Sequence, residues 1–363
     1  MGGRTRSRLK LFPRAIVNRW LKSRRAPIHP ARILVAHNLL LGDTLMLAPL
    51  FAKLRQTYPQ AEISTTVKPA FLALFKERPY GVRALAYDPR RPETVEALLA
   101  DTGYDMALIP GDNRYAWLAA ALGSRWIRAF AEDRPSLKSA AVDETVAYPA
   151  APAAWSDMNG LLAAGTLPQP YAVGDWPSPP CEPFTLPQQP YAVLHTGAST
   201  PLKHWPAEQW RQLARWLAGQ GIQPVWSTGP GEGAMLADWV EDGQPSYPGN
   251  LRLEQVWHLV ANARLLVCPD TGVSHLGKLT GTPTVTLFGP GAADVHGAGE
   301  YWRNMPYRAV TVTPFPCRDQ HVLFGRQISW VRRCGRSTQE CGEPRCMQAI
   351  TLDSVQTAIG QVL

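Results

Sequence analysis

The sequence of 363 residues predicts an α/β protein with two Rossmann-like parallel-sheet domains that face a central cleft. Short apolar runs such as 33–36 and 265–268 alternate with amphipathic segments of helical length. This alternation is typical of parallel strands joined by right-handed helical crossovers. A proline-rich stretch, 174–190, separates two such sets and is predicted to be an interdomain linker.

The N-terminal domain is predicted to span 31–173 and the C-terminal domain 191–363. In the first, strands are expected at 33–36, 62–67, 84–87 and 106–109, with helices at 44–58, 70–76, 92–100 and 115–122. In the second, strands are expected at 191–195, 223–227, 265–268 and 284–288, with helices at 207–220, 253–262, 274–279 and 352–363. Pro49 is expected to bend the first of these helices or to shift its start.

Residues 1–30 form a basic amphipathic extension. The net charge is +8, yet residues 1–32 hold ten basic and no acidic residues, so the rest carries 27 basic and 29 acidic ones. The apolar residues of the extension share one predicted helical face, with basic residues opposite: Leu9, Phe12, Ile16, Val17, Trp20 and Leu21. Such a helix suits an anionic membrane surface. The alternative is that this helix packs on the rest of the chain or is a frayed tail. A nucleic-acid partner is not expected, because the rest of the chain is weakly acidic and offers no basic face.

Four loops carry candidate site residues. Asp43 follows the first strand at the start of a helix, where a carboxylate either caps the helix or acts as a general base in the cleft. Thr196, either Ser199 or Thr200, and Lys203 follow the strand at 191–195 and can hold a diphosphate. A polar loop with a solvated lysine is the alternative.

The third loop follows the strand at 265–268. Asp270, Thr271, Gly272 and His275 lie where that strand turns into a helix, whose N-terminal N–H groups favour an anion. Glu232 follows a glycine-rich turn and can bond ribose hydroxyls. The sequence has no G-x-G-x-x-G or G-x-x-x-x-G-K-[ST] motif, which gives no support to a dinucleotide dehydrogenase or a P-loop kinase.

Four of the six cysteines fall in the segment 317–346: Cys317, Cys334, Cys341 and Cys346. Four thiolates can enclose a structural Zn or Fe ion, and a metal would help a segment with little core-forming pattern to fold. Unpaired thiols are the alternative.

Taken together, these segments resemble glycosyltransferase family 9, whose best-known members are the ADP-heptose:lipopolysaccharide heptosyltransferases. LGDTLMLAPLFAKLRQTYP is similar to the N-terminal signature of the family, and HTGASTPLKHWPAEQW to its lysine segment. LEQVWHLVANARLLVCPDTGVSHLGKLTGTPTVTLFGP is similar to its donor-site signature. The three segments occur in the order expected for the family.

The resemblance implies a GT-B fold and an inverting transfer of heptose, without a catalytic metal, from an ADP-sugar to a lipid-linked saccharide of the lipopolysaccharide core. By motif match, Asp43 is the general base, Lys203 and Thr196 meet the donor phosphates, and Glu232 lies near the nucleoside. Asp270, Thr271, Gly272 and His275 form the diphosphate and sugar site. Similar cysteine clusters occur in relatives that modify proteins, where iron is bound.

Alternatives stay open. The acceptor is a protein in one of them, and the donor is another nucleotide sugar in a second. In a third, the chain is a non-catalytic nucleotide-binding scaffold. The sequence shows no secretory signal and no run of about 18 apolar residues, so the expected location is cytoplasmic and peripheral on the inner membrane.

Overall fold

The computed structural model describes residues 2–21, 24–237, 239–241 and 243–363. The chain divides into two compact units. Unit 1 consists of Met1–Ala151, Trp155–Gln169 and Val322–Ser329, and unit 2 of Pro152–Ala154, Pro170–His321 and Trp330–Leu363.

Unit 1 is built on a six-stranded sheet whose strands are all parallel. The strands are β1 (Arg32–Val35), β2 (Glu62–Val67), β3 (Val82–Ala86), β4 (Met106–Ile109), β5 (Trp126–Phe130) and β6 (Glu144–Val146). Their order across the sheet is β3-β2-β1-β4-β5-β6, which is the doubly wound order of Rossmann folds. In such a sheet, ligands bind beyond the carboxyl ends where the order reverses, here between β1 and β4.

The α-helices in the described part of unit 1 are α1 (Gly3–Leu21), α2 (Leu41–Leu45), α3 (Ala48–Thr57), α4 (Pro92–Leu99), α5 (Tyr115–Ala121) and α6 (Trp155–Ala164). The predicted effect of Pro49 is confirmed, because the chain forms α2 and α3 in place of one helix and Pro49 lies in the first turn of α3. The predicted helix at 70–76 is a 3₁₀ helix over Pro69–Phe75.

The predicted arrangement of α1 is only partly right. Its outer apolar residues are exposed, but the opposite face packs on α5 through Leu11 and Ala15 and does not present a basic surface. The side chain of Leu21 and the residue Lys22 lie outside the described part of the chain.

Unit 2 repeats the same architecture. Its strands are β7 (Tyr191–His195), β8 (Gln223–Thr228), β9 (Ser246–Pro248), β10 (Leu265–Pro269), β11 (Thr284–Phe288) and β12 (Tyr307–Thr311). Its helices are α7 (Ala207–Gly219), α8 (Leu253–Ala261), α9 (Gly272–Thr280), α10 (Ala293–His296), α11 (Arg345–Gln348) and α12 (Leu352–Gly360). The strand order is β12-β11-β10-β7-β8-β9, so the reversal lies between β7 and β10.

Two segments differ from the predicted organisation. Residues 174–190 pack on unit 2, where His258 bonds the Pro179 carbonyl at 2.7 Å and Gln255 donates to the Glu182 carbonyl at 3.3 Å. A short hairpin of β13 (Val322–Leu323) and β14 (Arg326–Gln327) belongs to unit 1, although the sequence predicted it as part of the C-terminal domain. Among the described residues, no helix is long and apolar enough to cross a membrane.

Candidate functional site

The topology of unit 2 brings the lysine loop and the Asp270 loop to the same point of the sheet. The lysine loop leaves the carboxyl end of β7, and Asp270 follows the carboxyl end of β10. These two strands pair in parallel at the reversal of the strand order. Because loops at such a reversal diverge to opposite faces of the sheet, a ligand can enter between them.

Lys203 and Asp270 contact each other directly. The Lys203 Nζ donates to Asp270 Oδ2 at 2.7 Å and to the Asp270 carbonyl at 2.8 Å. The side chains are 21% and 11% exposed, so the ion pair is mostly withdrawn from water but still reachable from it. Burial opposes ionisation of Asp270, yet the charges of Lys203 and His296 hold the pKa of Asp270 below its usual range.

The N-terminus of α9 lies immediately after this pair. Thr271 occupies the N-cap position with extended backbone and makes no side-chain cap. The Ser274 N–H donates to the Thr271 carbonyl at 3.1 Å, and the N–H groups of Gly272 and Val273 are the ones suited to an anion. Gly272 is the first residue of the helix, and His275 lies one turn further on. The ion pair and the helix N-terminus therefore lie at one corner of unit 2, and the binding of a diphosphate at this corner stays a prediction.

Glu232 ties together two loops of unit 2. Its Oε1 accepts the Ala198 N–H at 3.2 Å, and its Oε2 accepts the Gly229 N–H at 2.9 Å. A Cβ at Gly197 would collide with the Glu232 carboxylate and approach the Gly229 nitrogen to 2.7 Å, so only glycine fits there. Glu232 thus fixes the loop after β7 against the loop after β8, in addition to any contact with a ligand.

Several buried polar atoms beside this corner have no hydrogen-bond partner in the described part of the chain. They are the Oγ1 atoms of Thr196, which follows β7, and of Thr228, the last residue of the paired strand β8, together with Nδ1 of His275 on α9. Such atoms are rare in folded proteins because each costs the free energy of desolvation, and a bound ligand is one way to satisfy them. Burial, with the charges of Lys278 and His296, holds the pKa of His275 well below its ordinary value, so its imidazole is neutral.

The sequence reasoning missed Lys278. This lysine is 1% exposed, donates to the Gly297 carbonyl at 2.7 Å, and lies 4.7 Å from the ring centre of Trp302. It follows His275 on α9 by three residues, and a lysine within an otherwise apolar helix is the signal that could have revealed it. Its buried charge adds to the positive potential around Asp270. Ser199 is exposed, and no contact of its side chain identifies it as part of this corner.

In unit 1, Asp43 lies at the corresponding reversal of the sheet. It is the third residue of α2, and Leu40 holds the N-cap position, so Asp43 is not the capping residue. Lys68 follows β2. Burial lowers the pKa of Lys68, and the nearby negative charge of Asp43 acts in the opposite direction. The fully buried His37 accepts the Leu39 N–H at 3.3 Å and bonds Thr65 Oγ1 at 3.1 Å. Neither Lys68 nor His37 was singled out from the sequence.

Three of the four late cysteines are neighbours. Burial and the adjacent Cys334 raise the pKa of Cys317, and burial with Cys317 raises the pKa of Cys346. The Cys341 thiol instead donates to the Glu343 carbonyl at 3.4 Å. Within the described ranges, no group of three or more His, Cys, Asp or Glu side chains has the geometry to hold a metal ion. The thiols as they stand therefore do not form a closed ligand set.

The sequence profile of glycosyltransferase family 9 (heptosyltransferase) matches residues 95–306, more than half of the chain. Lipopolysaccharide heptosyltransferase 1 of Pseudomonas aeruginosa is 25% identical over 311 residues, which cover 79% of this chain and 85% of the relative. E. coli ADP-heptose lps heptosyltransferase II superposes with a TM-score of 0.67 at 20% identity, over 91% of this chain and 98% of that one. The iron-containing dodecameric glycosyltransferase TibC from enterotoxigenic E. coli H10407 gives a TM-score of 0.57 at 15% identity, over 94% and 80% of the two chains.

These comparisons confirm the resemblance and the fold class predicted from the sequence. Two parallel six-stranded sheets of doubly wound order are the architecture of GT-B enzymes. The chain belongs to glycosyltransferase family 9, the heptosyltransferase family, and it is a glycosyltransferase.

Proposed function

We propose that the protein transfers heptose from ADP-heptose to a saccharide of the lipopolysaccharide core, with inversion at the anomeric carbon. The position of Lys203 beside the N-terminus of α9 carries this proposal, because its ammonium and the N–H groups that begin the helix are hydrogen-bond donors where a diphosphate would bind. The relatives named for lipopolysaccharide heptosyl transfer supply the sugar and the acceptor class.

The reaction needs one base and one site that stabilises the leaving group. Asp43 takes the proton from the acceptor hydroxyl as its oxygen forms a bond to the anomeric carbon. The bond between that carbon and the β-phosphate oxygen breaks, and ADP leaves with the electron pair. Attack on the face opposite to the leaving group inverts the configuration.

The charge that develops on the departing ADP needs preorganised donors. The Lys203 ammonium and the N–H groups that begin α9 would supply them, and the buried Lys278 strengthens the potential. These groups can stabilise the negative charge on the leaving diphosphate as a catalytic metal ion would, so the proposed mechanism includes no metal ion. The neutral His275, with its unpaired Nδ1, is suited to a hydrogen bond with the sugar or with a phosphate oxygen.

Glu232, Thr196 and Ser199 complete the proposed donor site. Glu232 keeps acceptor capacity on its oxygens beyond the two N–H groups it holds, and so can still accept a ribose hydroxyl. Thr196 offers its unpaired hydroxyl to a phosphate. Ser199, which is exposed, could reach a ligand only from the solvent side.

The acceptor we favour is a lipid-linked core saccharide on the cytoplasmic face of the inner membrane. A protein acceptor and another nucleotide sugar are the competing proposals within the same fold. The iron-containing relative TibC shares the fold at 15% identity, which is too distant to carry its acceptor over to this chain.

A structural zinc or iron ion at Cys317, Cys334, Cys341 and Cys346 is a second proposal. The mutual proximity of three of these thiols supports it, whereas Cys341 would have to turn away from Glu343 to complete four ligands. Elemental analysis of freshly purified protein should find about one equivalent of zinc or iron per chain. Less than a tenth of an equivalent would exclude the metal.

Calorimetric titration with ADP, UDP and GDP tests the donor. The proposal expects ADP to bind at least about tenfold more tightly than the other two, which corresponds to about 1.4 kcal/mol. Preference for UDP or GDP would leave the fold assignment intact and refute the ADP-heptose donor. Binding of none of them would favour a degenerate scaffold.

A further inference from the structure

The helix α1 is fixed to unit 1 by its inner face. Leu11 and Ala15 are buried against the alanine-rich α5, and Ser7 is 1% exposed. Asn18 donates to the carbonyls that end α5, at 3.0 and 3.1 Å. None of these residues belongs to the apolar set that the sequence analysis singled out.

Arg19, one of the nine basic residues within 1–30, holds α1 on unit 1. Arg19 makes a two-pronged ion pair with Asp143, at 3.0 Å from Nη1 to Oδ2 and 2.5 Å from Nη2 to Oδ1. The two side chains are only 7% and 4% exposed, so this contact sets the rotation of α1 about its own axis. With the rotation set, the outer face of the helix is defined.

That outer face is a strip of large apolar side chains in contact with solvent. Their exposed fractions are 59% for Leu9, 43% for Phe12, 49% for Ile16, 52% for Val17 and 86% for Trp20. At about 100° per residue, Leu9, Phe12, Ile16 and Trp20 fall within an arc of roughly 80° on the side away from Leu11. An apolar strip of this kind on a protein surface marks an interaction site.

Basic side chains border the strip on both sides. By the same helical geometry, Arg8 lies at one edge and Arg6 at the other, and both are exposed. The exposed Arg24 and Arg25 follow the helix, and residues 1–32 contain no acidic side chain. Cations that flank an apolar strip complement the phosphates of an anionic lipid surface. A second copy of the chain would instead bring the same cations against one another, which disfavours a dimer on this face.

We infer that the outer face of α1 docks in the headgroup region of an anionic phospholipid membrane. Leu9, Ile16 and Trp20 enter the boundary of the acyl chains, while Arg6 and Arg8 meet lipid phosphates. Phe12, at the edge of the strip, packs partly on Trp117 of α5. The helix lies along the surface, since no described helix can cross a membrane. The inference rests on the proposed function in one respect: docking would hold unit 1 at the membrane surface that carries a lipid-linked acceptor.

Vesicle flotation of the full-length protein, without donor or acceptor, tests this inference. Vesicles of phosphatidylglycerol and phosphatidylcholine in equal parts should bind the protein, and high salt should weaken the binding. The triple variant Leu9→Ser, Ile16→Ser, Trp20→Ser should lower the partition coefficient at least about tenfold, because each side chain contributes apolar area. Phe12 is kept because its ring packs on Trp117 of α5, with 5.4 Å between the ring centres. The matched control is Leu137→Ser, which changes an apolar residue of unit 1 that is 70% exposed outside α1.

Thermal unfolding shows whether the variants keep their fold, which is expected because the inner face and the Arg19–Asp143 pair are unchanged. Binding by the triple variant equal to wild type, equal binding to phosphatidylcholine alone, or no binding by wild type would each overturn the inference. So would a dimer, measured by light scattering, that the triple variant abolishes. Vesicle binding by a protein that fails to transfer heptose to a lipid-free core oligosaccharide would refute the proposed function and leave the inference standing.

Discussion

Replacement of Lys203 by methionine removes the cation that pairs with Asp270 and keeps a side chain of similar length. The change deletes two hydrogen bonds of the ammonium, at 2.7 and 2.8 Å, and leaves a carboxylate that is 11% exposed without this partner. Breaking a fully buried pair costs about 3–5 kcal/mol. Because Lys203 is 21% exposed, we expect a smaller loss of unfolding free energy, about 2–3 kcal/mol.

Turnover should fall further than stability alone explains. If Lys203 stabilises the departing diphosphate, its loss removes one preorganised donor, which typically lowers kcat by about 10²–10³-fold. Steady-state kinetics with ADP-heptose measures this fall, and urea unfolding measures the stability. Lys203→Arg is the conservative control. Because it keeps the charge, it should retain more of the turnover and more of the stability than Lys203→Met does.

A double variant separates the two roles of Lys203. Adding Asp270→Asn to Lys203→Met removes the unpaired charge and should recover most of the lost stability, but not the turnover. The reasoning is refuted if Lys203→Met folds and keeps kcat/KM within about threefold of wild type. It is also refuted if the double variant recovers activity together with stability.

Three further predictions address other parts of the chain. Gly197→Ala should weaken ADP binding about tenfold in calorimetry and cost about 1–3 kcal/mol of stability in thermal unfolding, because its Cβ meets the Gly229 nitrogen at 2.7 Å. In the control Gly219→Ala the added Cβ meets nothing within 4 Å, so this variant should resemble wild type in both measurements. Burial lowers the pKa of His37 to about 3 and that of His195 to about 4, so both imidazoles are neutral in the folded protein above these values. The free energy of unfolding should therefore be unaffected by them above about pH 6.5 and should fall with acidification below it, by about 1.4 kcal/mol per pH unit for each histidine. A urea-unfolding series that is flat between pH 6.5 and 5 would contradict this. Arg326→Leu should cost about 3–5 kcal/mol, because it strips buried carbonyls of their donor; wild-type stability in urea would refute that account.

The sequence was informative where strands are continuous apolar runs. β4 and β7 have the bounds predicted from their composition, because strands buried on both faces contain few polar residues. β2 and β11 also have the predicted bounds, although buried threonines interrupt their apolar residues. β5 was missed because Arg128 interrupts its apolar run. The structure pairs Arg128 with Glu144 of β6 at 2.9 Å, and the two residues lie opposite each other in the strand register. A charge satisfied by a partner on the next strand gives no local signal.

Long-range contacts set the other limit of sequence reasoning. Arg326 lies in a polar segment, yet it is 1% exposed and donates to the carbonyls of Gly111, Ala131 and Phe130, about two hundred residues earlier. Lys278 is buried because Trp302 and Tyr307, which follow in a later segment, supply aromatic faces for its ammonium. Neither burial can be read from neighbouring residues, because the partners are adjacent only in the fold.

The candidate site was predicted in part. The loops that follow β7 and β10 were identified by residue type, and strand pairing brings Lys203 onto Asp270. The second role of Glu232, which holds two backbone N–H groups, could not be foreseen because it depends on how close the two loops approach. The functional roles of Asp43, of the proposed donor-site residues and of the four cysteines remain predictions.

The central claim is that this chain transfers heptose from ADP-heptose with Asp43 as the base. The most direct measurement incubates wild type and Asp43→Asn with ADP-heptose and a lipopolysaccharide core that lacks heptose, and follows product mass, anomeric configuration and ADP release. The account predicts an inverted heptosyl product with wild type, and ADP binding without turnover for the variant. A product of retained configuration, full transfer by Asp43→Asn, or no transfer by a wild-type protein that binds ADP would contradict it.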